Sequence, residues 1–434
     1  MKRASATAAT LLGLLFLPDC SRELPPQPAA TETATTGEWP DGGREFSWPR
    51  WGGPSGDFHV VAGDLADSWP EGGPPVIWSR PLGGGYSGIV YDRGVLFTIY
   101  RQGEDDVVVA VRGDNGATIW EFRYPFRRYP ESDLQYGSGP NATPLILEDR
   151  ILTLGFDGTL NALDLRTGRP LWSLNLVSDL GGQILDFGNA SSPIPYQDKV
   201  IVLVGGTTQA VAALDPDDGS VVWRSGPGRI SYGTPLVIRV DGQDQLVYQS
   251  EDAIIGLDPG DGSRLWSHRS VNVNRDNISP PIWGADGLLW TAMQPEGGAT
   301  VLRLDRSGPT TRVRELWSDR RISIHFWNAV RLGGHVYASI GGRGNVFACV
   351  DVRTGAVEWR QRGFERASLL QAGDRTILLD VNGELALARL SPDGMTVLAQ
   401  ATVSDGPTWT IPTLAGTTLY VRDQKTLRAF DLGS

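Results

Sequence analysis

The side chains that most often carry chemistry are sparse in this sequence and poorly spaced for it. The four histidines, His59, His268, His325 and His335, are scattered, and no pair has ligand spacing. No G-x-S-x-G, H-E-x-x-H or G-x-x-x-x-G-K-[ST] stretch is present. The run "DPDDG" at Asp215 is similar to a calcium loop, but Gly226 stands where the closing Glu should be, so it reads as a turn. A different set is spaced for binding. Asn141, Asn189, Tyr232, Asn277, His325, Arg366 and Trp409 recur every 40 to 50 residues or so, with Trp327 just after His325. Together they offer hydrogen-bonding and aromatic groups suited to a small polar ligand or a peptide segment. One long stretch, "FRYPFRRYPESDLQYGSGPN", adds Arg127, Arg128, Glu131 and Asp133. Arg275, Arg320 and Arg321 could border the same face.

The elements that would hold this set in place are written as a repeat. An alternating strand runs into Asp, a tight turn closes on Gly, and a second strand carries Trp four residues later. Asp164, Gly168 and Trp172 form one copy; Asp215, Gly219 and Trp223, then Asp258, Gly262 and Trp266, then Asp351, Gly355 and Trp359 form others. An early copy keeps Gly116 and Trp120 but has Arg112 in place of Asp, and a stretched copy has Asp305 with a delayed Trp317. Gly meets a turn's demand for positive φ, and the Asp carboxylate accepts backbone N–H bonds from that turn. The indole then lies across the neighbouring repeat as a large apolar gasket.

The last copy is cut in half. "TLRAFDLGS" ends just after Asp431 without a Trp strand, whereas "PPVIWSRPL" near the start holds Trp78 without a preceding Asp phrase. A ring whose last unit is completed by the N-terminal strand explains both halves and removes open sheet edges. A second column agrees. Apolar strands open at Gly88, Pro144, Pro193, Pro235, Pro281, Ala329, Leu369 and Pro412, which counts eight units of four strands. The expected fold is all-β, an eight-bladed β-propeller.

The phrase "ALDxxTGxxxW" resembles the tryptophan-docking motif of quinoprotein-like propellers, the pyrroloquinoline-quinone (PQQ) repeat. "WPRWGGPSGD", ahead of the first blade, resembles the lead-in of exported bacterial PQQ-like repeat proteins similar to outer-membrane assembly factors. The resemblance runs from about Trp48 to the C-terminus. It implies a scaffold that binds assembly partners by edge or loop contacts. It also implies an alternative, a periplasmic PQQ-dependent dehydrogenase using Ca²⁺. Against that, this chain has no adjacent cysteines to cover a quinone and no C-x-x-C-H for haem attachment. A carbohydrate- or small-ligand-binding propeller is a third reading.

Composition sets the remaining bounds. Gly 54, Pro 29 and Trp 15 fit a turn-rich β protein. A net charge of -11 excludes a generic nucleic-acid binder, which needs a basic footprint. Lys2 and Arg3 precede "ATAATLLGLLFL", too short to span a bilayer comfortably, so residues 1–20 read as an export signal. Cys20 stands where a lipoprotein would be acylated; Leu17 suits such a site, Pro18 and Asp19 do not. Acylation and simple export both remain open. Residues 21–44, rich in Pro, Thr and Ala, read as a flexible linker, and 45–434 as the propeller. Cys349 alternates with Phe347 in "VFACVD", as an inward structural thiol would. The expectation is an exported scaffold in the periplasm or on a membrane anchor. It would bind an envelope protein or a small polar ligand at the channel face, with no cofactor, no metal and no catalytic residue. Membrane contact would come only through the lipid.

Overall fold

The protein is described by a computed structural model covering residues 37–40, 42–130, 132–137, 139–270, 277–293, 297–308, 310–341 and 346–433. Runs rich in Val, Ile, Leu and aromatic residues, each stopped by a Gly- or Asp-bearing turn, form strands, and no helix occurs among the described residues. Blade 1 comprises Val90–Asp92, Val95–Gln102, Asp105–Arg112 and Thr118–Pro125. Blade 2 comprises Leu145–Leu147, Arg150–Leu154, Thr159–Asp164 and Pro170–Asn175. Blades 3, 4, 5 and 6 open with Ile194–Tyr196, Leu236–Val240, Ile282–Gly284 and Val330–Leu332, and blade 7 with Ser368–Ala372. Each expected opening residue lies within two positions of its strand. The eight sheets form the expected eight-bladed propeller.

Closure occurs where the two half-copies meet. Blade 8 takes Thr413–Ala415, Thr418–Arg422 and Thr426–Asp431 from the C-terminus and Val76–Pro81 from the N-terminus, with Trp78 opposite Ala429 and Ser79 opposite Arg428. The seam to blade 1 is locked by Arg422, fully buried. It donates to Ser87 O, Ile99 O and Gly85 O at 3.0 Å and to Thr98 Oγ1 at 2.8 Å. Burial pushes this guanidinium down to about 9.

The docking motif works between blades. Trp78, Trp120, Trp172 and Trp223 donate their indole N–H to Gly113 O, Leu165 O, Pro216 O and Pro259 O of the following blade at 2.8–3.1 Å. Each ring covers the next blade's turn glycine. A Cβ added to Gly168 would stand 2.5 Å from the Trp120 ring, and one on Gly116 2.7 Å from Trp78. Those glycines also carry φ near +70°, so each is required twice over. The delayed Trp317 docks normally, on Val352 O and Gly355, and Trp359 reaches Ser391 O. Trp266 does not dock. The stretched copy ahead of it forms the long hairpin Ala299–Ser307 with Thr310–Asp319, and the Trp266 N–H turns back to Gln245 of its own blade at 2.7 Å. The turn aspartates cap as expected: Asp164 Oδ1 accepts from Thr167 N at 2.9 Å and Asp351 Oδ1 from Thr354 N at 2.7 Å.

One end of the channel is filled by the chain's own beginning. Trp48 bridges Tyr91, Pro49 O accepts from Ile146, and His59–Val60 runs parallel to the inner strand of blade 7. Ala62 then bridges Gly416 on blade 8. This clasp lies on the face that carries the docking turns. Packing starts ahead of the expected boundary at residue 45, because Gly37 bonds Ile119 O, Trp39 packs on Phe97 and Glu38 O accepts from Arg112. The expected export signal and most of the linker lie outside the described residues, as does Cys20. Cys349 is a buried free thiol inside blade 6, raised above its ordinary value by burial.

Candidate functional site

The opposite end of the channel holds a cavity of about 150 Å³. Its lining comes from the segments that lead into the inner strands of every blade but the seventh, from the long loop after blade 1 and from the N-terminal segment. Trp51 of the clasp lies among the lining residues, so a residue placed by the N-terminal segment closes a pocket opening on the other face.

The walls are a continuous set of rings. Tyr86 stacks on Trp409 at 4.9 Å, and Trp409 stacks on Phe326 at 5.5 Å. Tyr136 meets Trp409, Phe326 and Phe187 at 5.6, 6.2 and 5.4 Å, and Phe187 meets Tyr232 at 6.1 Å. Two of the rings are tied down by hydrogen bonds. Arg422 grips the backbone on both sides of Tyr86, and the Tyr86 hydroxyl accepts from Gln424. The Tyr232 hydroxyl accepts from Phe187 N at 3.3 Å. His325 stacks on Phe326 at 3.6 Å; burial, with the Arg366 charge, pushes its imidazole down to about 4, so this side chain is uncharged at neutral pH.

Of the ring of residues expected at the channel face, Asn141, Tyr232 and Trp409 line the cavity. Arg366 and Trp327 line a much smaller neighbour behind Phe326 and Trp409. Asn189, Asn277 and Trp327 act as struts. Asn189 binds Phe156 O, Asn277 donates to Ser250 O at 2.6 Å, and the Trp327 indole donates to Ser339 O at 2.6 Å. Tyr86, Tyr136, Phe187, Phe326 and Trp51 were not anticipated. Phe187 and Phe326 stand two before and one after expected positions, and Tyr86 holds the equivalent place two before Gly88. The expected set named no residue ahead of blade 1.

The long loop reaches the mouth, but through an aromatic residue rather than through charge. Tyr136 and Gly137 line the cavity, whereas Arg127, Arg128 and Asp133 do not. Arg127 N is anchored on Asp157 Oδ2 at 3.1 Å, and Asp133 N on Asp186 O at 2.7 Å. At the loop's base the Arg101 guanidinium covers Phe126 at 3.5 Å and pairs with Asp106 at 2.7 Å. Burial outweighs that pairing and pushes the Asp106 carboxyl up to about 7. Arg321 pairs with Asp319 at 2.6 Å. Glu131 and Arg275 lie outside the described residues.

A quinone with calcium does not fit this lining. Among the described residues around the cavity there is no carboxylate to hold Ca²⁺ and no cation to meet the quinone's carboxylates. One group of three ligand types does converge elsewhere: His335, Asp351 and Glu358 on blade 6, which sequence spacing did not reveal. There Asp351 Oδ1 is already engaged by three bonds from its own turn.

Fold and docking geometry define a propeller of the PQQ-like class. A family model described as "Outer membrane protein assembly factor BamB" matches residues 72–226 and 157–306, more than half of the chain, and the chain belongs to this family. BamB of Escherichia coli K12 is 30% identical over 111 residues, 24% of this chain and 27% of that protein. BamB of Aliivibrio fischeri is 55% identical over 38 residues, 9% of this chain and 10% of that protein. The aligned stretches thus span about a quarter or less of these relatives' length. Among solved structures, BamB of Moraxella catarrhalis matches at TM-score 0.57 with 18% identity over 82% of this chain and 99% of that one. The quinohemoprotein alcohol dehydrogenase of Comamonas testosteroni matches at 0.62 with 14% identity over 91% and 82%. At such identities these two matches speak for the fold alone.

Proposed function

We propose that this protein is an exported, non-catalytic scaffold of outer-membrane protein assembly that engages a protein partner at the aromatic channel mouth. Family membership supports the assembly role. The observation that carries the site is the cavity itself: an aromatic-walled pocket without charged lining residues, at channel-mouth positions where the residues differ from blade to blade. The charge-poor lining argues against the dehydrogenase alternative. The described chain enters at Gly37, against the blade 1 outer strand on the docking-turn face.

The test is photo-crosslinking in the source bacterium from position 137 at the mouth, with position 217 on the docking-turn face as control. Capture of an outer-membrane assembly component or a nascent barrel protein from 137 alone is expected. Equal capture from both positions, or none from 137, contradicts the proposal. Quinone absorbance and dye reduction after incubation with PQQ and Ca²⁺ would revive the enzyme reading.

A further inference from the structure

The cavity carries more information than its aromatic walls. Trp51 Nε1, a donor, is buried without an acceptor, and Asn141 Oδ1, an acceptor, is buried without a donor; both residues line the cavity. The Asn141 amide orientation follows from its Nδ2, which donates to Phe187 O at 3.2 Å and leaves the carbonyl oxygen over. Behind the wall, Gln249 is 1% exposed with both terminal atoms unpartnered. Its Oε1 lies 3.5 Å from where a Cβ on Gly233 would stand, between the lining residues Tyr232 and Thr234. Unpaired buried polar atoms are costly, each about 1–3 kcal/mol, so the donor and acceptor left over on the two lining residues ask for a ligand that satisfies that pair.

The ligand's chemistry follows by elimination. A space of about 150 Å³ takes one aromatic ring. No charged side chain stands among the described lining residues, so a carboxylate would lose its hydration without return, and an ammonium, which the rings could attract, has no acceptor for the Trp51 N–H. A hydroxyl both donates and accepts, matching one orphan acceptor and one orphan donor. The rim is open, with Tyr136 42% exposed, so the atoms that carry the ring remain outside. Resting on the scaffold reading above, the geometry points to a tyrosine side chain, carried on an extended segment of the partner polypeptide, as the group this cavity receives. The phenol would give its proton to Asn141 Oδ1 and accept from Trp51 Nε1, with the ring against Trp409 and Phe326.

The experiment uses the full chain and the peptides acetyl-Gly-Xaa-Gly-amide with Xaa as Tyr, Phe or Leu, read by saturation-transfer NMR and calorimetry. Tyr should bind about tenfold more tightly than Phe, the worth of a well-made buried hydrogen bond, and Leu should be weakest. Trp51→Phe keeps a ring at the floor but removes the N–H, and should shrink the Tyr-to-Phe ratio to about twofold. If that variant does not fold, Asn141→Ala carries the same test. Equal binding of Tyr and Phe, or displacement of the Tyr peptide by maltose, overturns the inference. If no peptide binds while position 137 still captures assembly proteins, the phenol proposal falls and the scaffold stands. If that capture fails as well, both fall.

Discussion

The two faces of this ring are built by opposite rules. On the docking-turn face one solution is repeated around most of the circle: an Asp caps a turn, a Gly at positive φ leaves room, and the preceding blade's indole fills it and bonds a backbone carbonyl. On the mouth face the corresponding positions differ from blade to blade, aromatic rings meet in a continuous set, and buried polar atoms remain unpaired. Repetition with full satisfaction is what stability requires. Divergence with unsatisfied groups is what a binding site requires, because a polar atom left unpaired in the free protein gains only when a ligand arrives.

That contrast can be broken or sharpened by substitution. The largest effect should come from Trp78→Ala, which removes a buried indole and its bond to Gly113 O from the strand that closes the ring. A loss of about 3–5 kcal/mol in urea unfolding is expected, and less than about 1 kcal/mol would contradict the closure account. Next, Gly168→Ala should cost about 3 kcal/mol, because the added methyl meets the Trp120 ring. Gly308→Ala, at a similar positive φ but with open space around it, should cost about 1 kcal/mol. If the two cost the same, the indole contact is not what the docking glycine serves.

On the mouth face the ordering reverses. Trp409→Ala should lower stability by only about 1–2 kcal/mol, from its two stacked partners, while abolishing partner capture. The smallest effect is electrostatic. His325 should titrate at about 4 by NMR, against an ordinary value of 6.5, because burial and Arg366 disfavour its charged form. The folded state therefore binds this proton less tightly than the unfolded chain. The stability that neutral His325 contributes is whole above pH 6.5 and drains away as pH falls from there to about 4. A midpoint near 6.5 would mean that the mouth is more solvated than described.

What the sequence disclosed follows the same division. The blade count, the closing strand and the docking triads were legible because each is fixed by local turn chemistry repeated many times: Asp164 to Trp172 predicts Asp351 to Trp359. Trp266 breaks the rule for a reason far from its own phrase, the long hairpin at Ala299–Asp319 in the next blade. The site was only half legible. Asn141, Tyr232 and Trp409 fell on the expected column, but the rings beside them sit one or two residues away, where a fixed offset misses Phe187 and Phe326. Tyr136 was hidden among the charges of its loop, and Trp51 enters the cavity from a segment 35 residues before Tyr86 in the chain. No spacing rule joins a clasp on one face to a mouth on the other; only the folded ring does.

The central claim is that the mouth, not the docking face, does this protein's work. It is tested most directly in the source bacterium by comparing outer-membrane β-barrel protein levels. One strain would carry Trp409→Ala with Phe326→Ala, another Gly308→Ala, each checked for a folded, normally abundant chain. The account predicts that the mouth variant matches deletion of the gene while Gly308→Ala matches the unaltered protein. A folded mouth variant that restores normal levels would contradict it.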